Sequence, residues 1–386
     1  MWSLSPGVRH LNHGSFGAVP VPVREEQARW QARWDADPTG FVYRDLVPGI
    51  ERSREALAGF LGADSRGLAF VRNASQGVAS VVRSLEETLG PGDEIVTTSH
   101  DYNAVRQTLE FSARRTGASV RVVDVPFPID DPTEVTRRVC DAVGERTRLA
   151  VVDHITSPTA LVYPIDEIVS RLEPDVPVLV DGAHGPGQVV LNLDQLGASW
   201  YTGNLHKWVC APHGAAFLHS RTDRLGQTVP TVISHAWNAP LVDGSSRYLG
   251  LFDWTGTDDV SPWLVVPEVL EVVGGLEPGG WPALIDRNHR LVLAGRSIIS
   301  SALGVAPSVP EGMIGTMAAL PLRDYPGDDP GGLLSPLNDR LIEDGFETIV
   351  SFWPHWPHQV LRISAHHYNQ LGEYRDLAER LSELEG

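Results

Sequence analysis

Short β-branched runs alternate with helix-like segments through the middle of this chain. Candidate strands lie at residues 68–71, 94–98, 120–125, 149–155, 178–181, 199–203 and 215–219. Helical periodicity marks the segments between them, at 77–89, 104–116, 132–143 and 165–172. This alternation is typical of a mainly parallel sheet covered by helices on both faces. The pattern therefore predicts an α/β fold built on a seven-stranded sheet.

The glycine-rich stretch GGLEPGG, residues 274–280, is the clearest candidate linker. The 386 residues of the chain exceed the roughly 250 to 300 at which single cores stop growing, so we expect two domains. We predict an N-terminal segment over 1–20, a large domain over 21–273 and a smaller α+β domain over 274–386. The smaller domain should hold a helix within 282–303, strands near 315–320 and 360–364, and a C-terminal helix from residue 372.

Net charge argues against a nucleic-acid partner. The chain has 49 acidic and 31 basic residues, a balance of −18, whereas phosphate binding depends on clustered Lys and Arg. No stretch approaches the ~20 consecutive apolar residues of a membrane span. The opening MWSLSPGVRH lacks a basic segment followed by an apolar one, so we expect a cytoplasmic protein. Cys140 and Cys210 are too few for a disulfide framework or a thiolate zinc site.

Lys207 is the only lysine among the 31 basic residues. On the order of twenty lysines would be ordinary for this length. Guanidinium cannot act as a neutral amine nucleophile, whereas an ε-amine can lose its proton and form an imine. The retained lysine therefore indicates either imine chemistry or chance, and composition alone does not decide between them.

Polar clusters follow the predicted strands at their carboxyl ends, where ligands bind in open parallel sheets. NASQG, residues 73–77, places a hydroxyl at the start of a helix, which suits a phosphate or an ordinary N-cap. Asp181 ends the buried strand PVLVD and needs a cationic partner. Lys207 could form a plain ion pair with it, but its place in the tripeptide HKW favours chemistry.

Pyridoxal phosphate satisfies these clusters together. Its aldehyde takes a lysine as an imine, its phosphate needs a helix N-terminus, and its ring nitrogen needs a carboxylate. Tyr102 offers a flat face for the ring, and His184 could meet the ring hydroxyl. One cofactor thus explains four clusters.

The motifs DGAHGPGQ, 181–188, and GNLHKWVCAPHGAAFL, 203–218, resemble the class V aminotransferase superfamily of fold-type I pyridoxal-phosphate enzymes. Further motifs are similar to its isopenicillin N epimerase-like branch: LNHGSFGAVP at 11–20, DYNA at 101–104, HITSPT at 154–159, WTGTDDVSPWL at 254–264 and RISAHHYN at 362–369. The resemblance runs from about residue 11 to 380. It implies the fold-type I architecture of a large cofactor-binding domain and a smaller C-terminal one.

The resemblance also implies roles for individual residues. Lys207 would form the internal aldimine and carry the Cα proton, Asp181 would hold the pyridinium nitrogen, His184 would lie near O3′, and Tyr102 would stack on the ring. The remaining cofactor-binding positions are Asn73, Ala74, Ser75, Gln76, Asn204, His206 and, from a second subunit, Thr257. Substrate contacts fall to Arg362, which would clamp the α-carboxylate, and to Asn12, His13, Tyr43, Arg44 and Ser157. A shared site implies a homodimer.

The expected reaction begins with an external aldimine and loss of the Cα proton or the carboxylate. We expect C–S bond processing of a cysteine S-conjugate, by β-elimination or decarboxylative deamination, in specialised-metabolite biosynthesis. Amino-acid epimerisation and class V transamination are the alternatives within the family. A cysteine desulfurase is not expected, because residues 211–386 contain no cysteine for its mobile loop.

Two alternatives come from other classes. A metal-dependent hydrolase would use His100 with Asp101, Asp153 with His154, and Asp181 with His184 as ligands, but it leaves the lone lysine unexplained. A cofactor-binding protein without catalysis would not need Lys207, Asp181 and Arg362 together.

Overall fold

The computed structural model describes residues 1–173, 175–240, 246–306 and 309–385. Its strands are β1 (Arg9–His10), β2 (Leu68–Val71), β3 (Glu94–Thr98), β4 (Ser119–Val123), β5 (Thr147–Asp153), β6 (Val178–Asp181), β7 (Trp200–Asn204), β8 (Ala216–Ser220), β9 (Met317–Pro321), β10 (Phe346–Glu347), β11 (Ile349–Phe352) and β12 (Gln359–Ser364). Each of the seven strands predicted between residues 68 and 219 is present, with its ends within two residues of the predicted ones.

Those seven strands form one sheet in the order β2-β8-β7-β6-β5-β3-β4. Strand β8 runs antiparallel to both β2 and β7, and the other neighbours are parallel. The centre of the sheet is buried on both faces, since every residue of β6 and β7 is buried. The predicted α/β class with a seven-stranded, mainly parallel sheet is confirmed.

Helices cover this sheet and extend beyond it. They are α1 (Val21–Ala36), α2 (Pro38–Gly40), α3 (Leu46–Leu61), α4 (Ala74–Ser84), α5 (Asn103–Thr116), α6 (Thr133–Ala142), α7 (Ile165–Leu172), α8 (Leu193–Leu196), α9 (Arg247–Asp253), α10 (Ser261–Leu264), α11 (Val266–Gly274), α12 (Gly280–Leu303), α13 (Pro336–Glu343) and α14 (Leu371–Glu385). A five-residue π-helix, Phe41–Asp45, leads into α3. None of the described helices is both long and apolar enough to cross a bilayer.

The C-terminal part is an antiparallel three-stranded sheet, β11-β12-β9, flanked by α12 and α14. The N-terminal strand β1 pairs in parallel with β10, so the chain start is attached to this C-terminal part. The two larger sheets fall within the predicted ranges 21–273 and 274–386, and the exact domain division stays a prediction. This arrangement brings residues 9–17 and β12 to the carboxyl edge of the large sheet.

Candidate active site

Lys207 lies in the turn between β7 and β8, at the carboxyl edge of the parallel strands. Its Nζ is 2.9 Å from Nε2 of His184. Burial, reinforced by the positive charge of Arg362, lowers the pKa of Lys207 to about 7, although Asp181 and Asp153 act in the opposite direction. Near neutral pH a large fraction of this amine is therefore unprotonated, which is the nucleophilic form.

His184 follows β6 by three residues and is almost fully buried. Its Nδ1 accepts a hydrogen bond from the indole Nε1–H of Trp208 at 3.3 Å. Burial and then the charges of Lys207 and Arg362 hold the pKa of His184 well below its ordinary value. The imidazole is therefore neutral, with one ring nitrogen toward the tryptophan and the other toward the lysine.

Asp181 is the last residue of β6, and its carboxylate is buried. Its Oδ1 accepts the backbone N–H of Ala183 at 2.9 Å, and no cationic side chain of the described residues lies within ion-pair distance of it. Burial raises the pKa of Asp181, with that amide and the Lys207 charge opposing the rise. Asp153 is its register partner on β5, and burial and the Asp181 charge raise its pKa too. This edge of the sheet thus holds two buried carboxyl groups that have no cationic side chain of the described residues within ion-pair distance.

The loop after Asp181 is shaped by Tyr201, which projects from β7 beneath it. A Cβ on Gly182 would lie 2.1 Å from the Tyr201 ring, and one on Gly185 would lie 2.1 Å from its hydroxyl oxygen. The hydroxyl is fixed by a 3.0 Å contact with Nδ1 of His154. Because Gly182 and Gly185 have no Cβ, the loop packs directly against Tyr201. This packing fixes the positions of Asp181 and His184.

Arg362 lies on β12 and is 4% exposed. Its Nη1 donates to the carbonyl oxygen of Ser157 at 2.6 Å and to the Ser157 hydroxyl at 3.3 Å. Its Nη2 donates to Oδ1 of Asn12 at 3.0 Å and to Oγ of Ser15 at 2.7 Å. Among the described residues it has no carboxylate partner, and its buried Nε–H has no acceptor. Burial lowers the pKa of Arg362 to about 10, so the guanidinium stays charged and without a counter-ion.

The N-terminal segment packs directly on the main chain of Lys207. The backbone N–H of Gly17 donates to the carbonyl of His206 at 3.1 Å, and a Cβ on Gly17 would lie 2.1 Å from the Lys207 carbonyl oxygen. His13 is buried here, with Nε2 3.0 Å from the Lys207 carbonyl oxygen and Nδ1 2.9 Å from the Tyr368 hydroxyl. The structure therefore places His13 against the lysine backbone, with both ring nitrogens engaged, and not at an open mouth.

The start of α4 combines bonded and free polar groups. Asn73 caps the helix by accepting the N–H of Gln76 at 2.9 Å, and the Gln76 side chain accepts the N–H of Arg72. Oδ1 of Asn204 accepts the N–H of Ala74 at 2.9 Å. The N–H and hydroxyl of Ser75 have no partner among the described residues. They remain the open donors of this helix N-terminus, where an anion is favoured.

His206, predicted beside the phosphate, donates through Nδ1 to the carbonyl oxygen of Ala215 at 2.9 Å. Burial lowers its pKa to about 4. In the neutral form its other nitrogen, Nε2, is therefore an acceptor. His206 can donate to an anion only after taking up a proton, which an adjacent phosphate would favour.

Other predicted residues make no hydrogen bond or ion pair with Lys207 among the described residues. Tyr102 precedes α5 as its N-cap and is 49% exposed. Tyr43 is 82% exposed, and Arg44 is paired on the surface with Asp37. Thr257 shares a cavity of about 250 Å³ with Gln76. The roles of Tyr102, Tyr43, Arg44 and Thr257 stay predictions.

The side chains proposed above for a metal-dependent hydrolase do not converge on a common point. His100 is bonded to Thr159 and to the Val125 carbonyl, Asp101 to Arg106, and His154 to Tyr201. The group of described residues whose donor atoms do lie together is a different one, His13, Cys210 and His366. Its two imidazoles are stacked at 4.0 Å and 12°, so their in-plane lone pairs run side by side and cannot meet at one ion. The hydrolase interpretation is not supported by this geometry.

Several residues of the site were not identified from the sequence. Ser15 completes the Arg362 contacts and Tyr201 shapes the Asp181 loop. Gln188 donates to the His184 carbonyl at 3.0 Å and accepts the N–H of Thr316 at 2.8 Å, which joins this loop to the C-terminal sheet. Trp208 contacts His184. Trp208 stands beside the only lysine, and Ser15 and Gln188 lie within the quoted motifs LNHGSFGAVP and DGAHGPGQ, whereas Tyr201 carries no local signal.

Comparison with known proteins gives a consistent result. The family model described as aminotransferase class V matches residues 44–251. An isopenicillin N epimerase from Amycolatopsis lactamdurans is 36% identical over 394 residues, which cover 99% of this chain and 96% of that protein. An L-cysteine desulfhydrase from Arabidopsis thaliana is 29% identical over 409 residues, 98% of this chain and 88% of that protein.

A solved structure of a cystine C–S lyase in complex with its reaction product, cysteine persulfide, superimposes with a TM-score of 0.81. The match covers 98% of each chain at 19% sequence identity. At that identity the likeness shows the fold alone.

Proposed function

Because the chain belongs to the class V aminotransferase family, we propose that it is a pyridoxal-phosphate enzyme that cleaves the C–S bond of a cysteine S-conjugate. The observation that carries the proposal is the buried amine of Lys207, with its lowered pKa, at the edge of the sheet that also holds two buried ionisable groups without a counter-ion among the described residues, Asp181 and Arg362. An amino acid bound to an aldehyde cofactor requires such an arrangement: an amine, a carboxylate for a ring cation and a cation for a carboxylate.

The residues present fit pyridoxal phosphate. Asp181 is a buried carboxylate without a cation in contact, so a protonated ring nitrogen would supply the missing charge. The open N–H and hydroxyl of Ser75, at the N-terminus of α4, suit the phosphate. Lys207 is held partly neutral, as imine formation requires. Asp181, Ser75 and Lys207 thus correspond to the ring nitrogen, the phosphate and the aldehyde of the cofactor.

The cofactor, when bound, supplies an electron sink that makes the Cα–H bond of an amino acid acidic. The chain supplies the other elements. Arg362 would attract the α-carboxylate through its uncompensated charge and its Nε–H, the one donor without an acceptor among the described residues, while Asn12, Ser15 and Ser157 hold the guanidinium in place. Lys207 would accept the Cα proton at Nζ. Its lowered pKa suits a general base near neutral pH.

Elimination is favoured over epimerisation by the position of His13. Epimerisation requires proton donors on both faces of Cα: Lys207 would serve one face, and His13, expected among the substrate contacts, is a candidate for the other. The structure engages both of its nitrogens against the Lys207 backbone and Tyr368. Elimination needs only Lys207 and an exit for the thiol: the Cα–H and C–S bonds break, the sulfur leaves with the bonding electrons and takes up a proton, and water completes conversion to pyruvate and ammonia.

Epimerisation is the second candidate, since the relative matched over 99% of this chain is an isopenicillin N epimerase. Desulfuration by a catalytic thiol is not proposed. Cys210 is fully buried, and burial raises the pKa of its thiol well above the ordinary value. Cys140 lies on α6, and burial raises its pKa as well.

Product analysis separates these reactions. The purified protein, supplied with pyridoxal phosphate, is incubated with a panel of S-substituted L-cysteines in deuterium oxide. Elimination predicts equimolar thiol and pyruvate, epimerisation predicts the D-isomer with deuterium at Cα, and desulfuration of cysteine predicts alanine. Alanine without pyruvate would contradict the proposal, and decarboxylative deamination would be recognised by an aldehyde.

We also propose a cytoplasmic homodimer whose active site includes Thr257 of the partner subunit. The exposed side chains of Phe16, Tyr43 and Val47, 76%, 82% and 54% exposed in the single chain, are consistent with a surface covered by a second copy. Light scattering measures the mass directly. A monomer that binds the cofactor fully would contradict this part of the proposal.

A further inference from the structure

The contact between Trp208 and His184 restricts where the histidine proton can lie. Indole Nε1–H is a donor and has no lone pair to accept with. Because it points at Nδ1 of His184 at 3.3 Å, Nδ1 must be the unprotonated ring nitrogen. In a neutral imidazole the proton is then on Nε2, the nitrogen that faces Nζ of Lys207 at 2.9 Å.

We propose that Trp208 is a positioning residue that fixes His184 in the Nε2–H tautomer, so that His184 donates a hydrogen bond toward the amine of Lys207 and, in the loaded enzyme, toward an oxygen of the cofactor. The second half of this statement rests on the proposed function, whereas the tautomer itself is a property of the chain alone.

The indole cannot easily yield to the other tautomer. Trp208 is 1% exposed and packs in a cluster with Ile155, Ala160 and Met317, so its ring is held in one position. A proton on Nδ1 would set two N–H groups against each other and leave the buried indole N–H without an acceptor. An unsatisfied buried donor is costly, and the packing prevents relief by rotation.

This arrangement couples the tautomer to the charge of Lys207. An Nε2–H donor needs a lone pair on Nζ, which the neutral amine has and the ammonium lacks. Trp208 therefore disfavours the charged lysine through His184. The other groups that face Lys207 are Arg362, which also disfavours its charge, and Asp181 and Asp153, which favour it. Substitution of Trp208 leaves those three in place, so its effect can be measured separately.

The test uses the full chain with the cofactor removed. Nitrogen-15 NMR of histidine-labelled protein, at a pH above the pKa of Lys207, reports which ring nitrogen of His184 carries the proton, with His184→Gln to assign the signal. We expect the Nε2–H tautomer in the native chain. In Trp208→Phe, which keeps the ring and removes the N–H, we expect the Nδ1–H form to become populated.

The single lysine permits a second measurement. The rate of acetylation of Lys207 by acetic anhydride, followed by mass spectrometry across pH, gives its pKa without competing lysines. We expect Trp208→Phe to raise this pKa by about one pH unit, the size of one neutral hydrogen bond. Trp200→Phe is the matched control, because it also removes a buried indole N–H, bonded to Thr228 at 2.8 Å, without touching His184. It should leave the pKa unchanged.

An Nδ1–H tautomer in the native chain, or an unchanged tautomer in Trp208→Phe, would overturn the proposal. If Trp208→Phe does not fold, the tautomer of the native chain decides alone. A chain that shows the Nε2–H tautomer but binds no pyridoxal phosphate would contradict the proposed function and leave the tautomer assignment standing.

Discussion

Replacement of Arg362 by methionine should weaken amino-acid binding strongly while changing the stability of the cofactor-free protein little. The guanidinium is buried without a counter-ion, and its pKa falls from an ordinary value of 12.5 to about 10. That difference, at about 1.4 kcal/mol per pH unit, corresponds to a cost of about 3 kcal/mol for the charge in the folded state. A stability cost of this kind is expected where a residue is kept for a ligand.

Two effects on stability oppose each other in Arg362→Met. Removal of the guanidinium removes the cost of burying an unpaired charge. Loss of its hydrogen bonds to Ser157, Asn12 and Ser15 leaves their oxygen acceptors without donors, which costs about 1 kcal/mol for each bond. These are of similar size, so we expect the free energy of unfolding to change by less than about 2 kcal/mol. Loss of the charge-assisted contacts to a substrate carboxylate should cost about 3 kcal/mol, or roughly 100-fold in affinity.

The assay is titration of the loaded enzyme with an S-substituted cysteine, followed by the absorption change of the bound cofactor, beside urea unfolding of the cofactor-free chain. Arg296→Met is the matched control. Arg296, on α12, is also a buried arginine whose pKa burial lowers. It donates to the Val309 carbonyl at 2.8 Å, lies 3.9 Å from a Glu311 carboxylate oxygen and makes no contact with Lys207. A variant of Arg362 that loses several kcal/mol of stability but binds the amino acid normally would refute the reasoning.

Three further predictions concern the surroundings of Lys207. Gly17→Ala would bring a Cβ within 2.1 Å of the Lys207 carbonyl oxygen, so it should lower both the melting temperature and cofactor affinity, measured by thermal unfolding and absorption. Gly59→Ala is the control: it lies in an open position of α3 and should slightly stabilise the protein. Equal melting temperatures and cofactor affinities for Gly17→Ala and Gly59→Ala would contradict the clash. Gly185→Ala should lower the free energy of unfolding by about 1 to 3 kcal/mol, because the new Cβ would lie 2.1 Å from the Tyr201 hydroxyl oxygen. Tyr201→Phe removes that oxygen and should restore the stability of Gly185→Ala, because the next nearest atom is 3.4 Å from the Cβ. Additive unfolding energies in that double-mutant cycle would count against direct contact. Finally, the pKa of Lys207 is about 7 in the folded chain against an ordinary value of 10.5. At pH values between these two, the amine is protonated in the unfolded chain and neutral in the folded chain. The free energy of unfolding should therefore rise with pH in that range, by up to about 1.4 kcal/mol per pH unit. Lys207→Met should lose that rise in urea unfolding at a series of pH values, and an unchanged slope would mean that the lysine is not perturbed.

The sheet could be predicted from the sequence because its strands are buried, β-branched runs bounded by turn residues. The runs LAVV in β5 and VLV in β6 have no other favourable environment than the centre of a covered sheet. The N-terminal helices α1 and α3 were not located. Helix α1 is largely polar and buries only Val23, so it has no clear apolar face. Helix α3 does bury one face, with Leu46, Ile50, Leu57 and Leu61, but it lies outside the alternation of strands and helices on which the prediction was based. The pairing of β1 with β10 joins residues more than 330 positions apart, and no local pattern encodes it.

Parts of the site followed from residue chemistry in the same way. The positions of Asp181, His184 and Lys207 at one edge of the sheet could be predicted from the strand ends that precede them, whereas the contact between Lys207 Nζ and His184 was not predicted. The placement of His13 could not be predicted, because a histidine beside asparagine at the chain start carries no sign of burial. Its contacts with Lys207 and Tyr368 arise from tertiary packing. The Trp208 contact likewise depends on how the loop after β6 meets the turn after β7.

The central claim is that pyridoxal phosphate is bound as an imine on Lys207. The most direct test is the absorption spectrum of the purified protein before and after borohydride reduction, followed by mass analysis of the peptide that contains the only lysine. The account predicts a visible band that borohydride abolishes, a pyridoxyl group fixed to Lys207, and neither feature in Lys207→Arg. A protein that stays colourless with added pyridoxal phosphate, or a reduced protein whose Lys207 peptide has an unchanged mass, would contradict it.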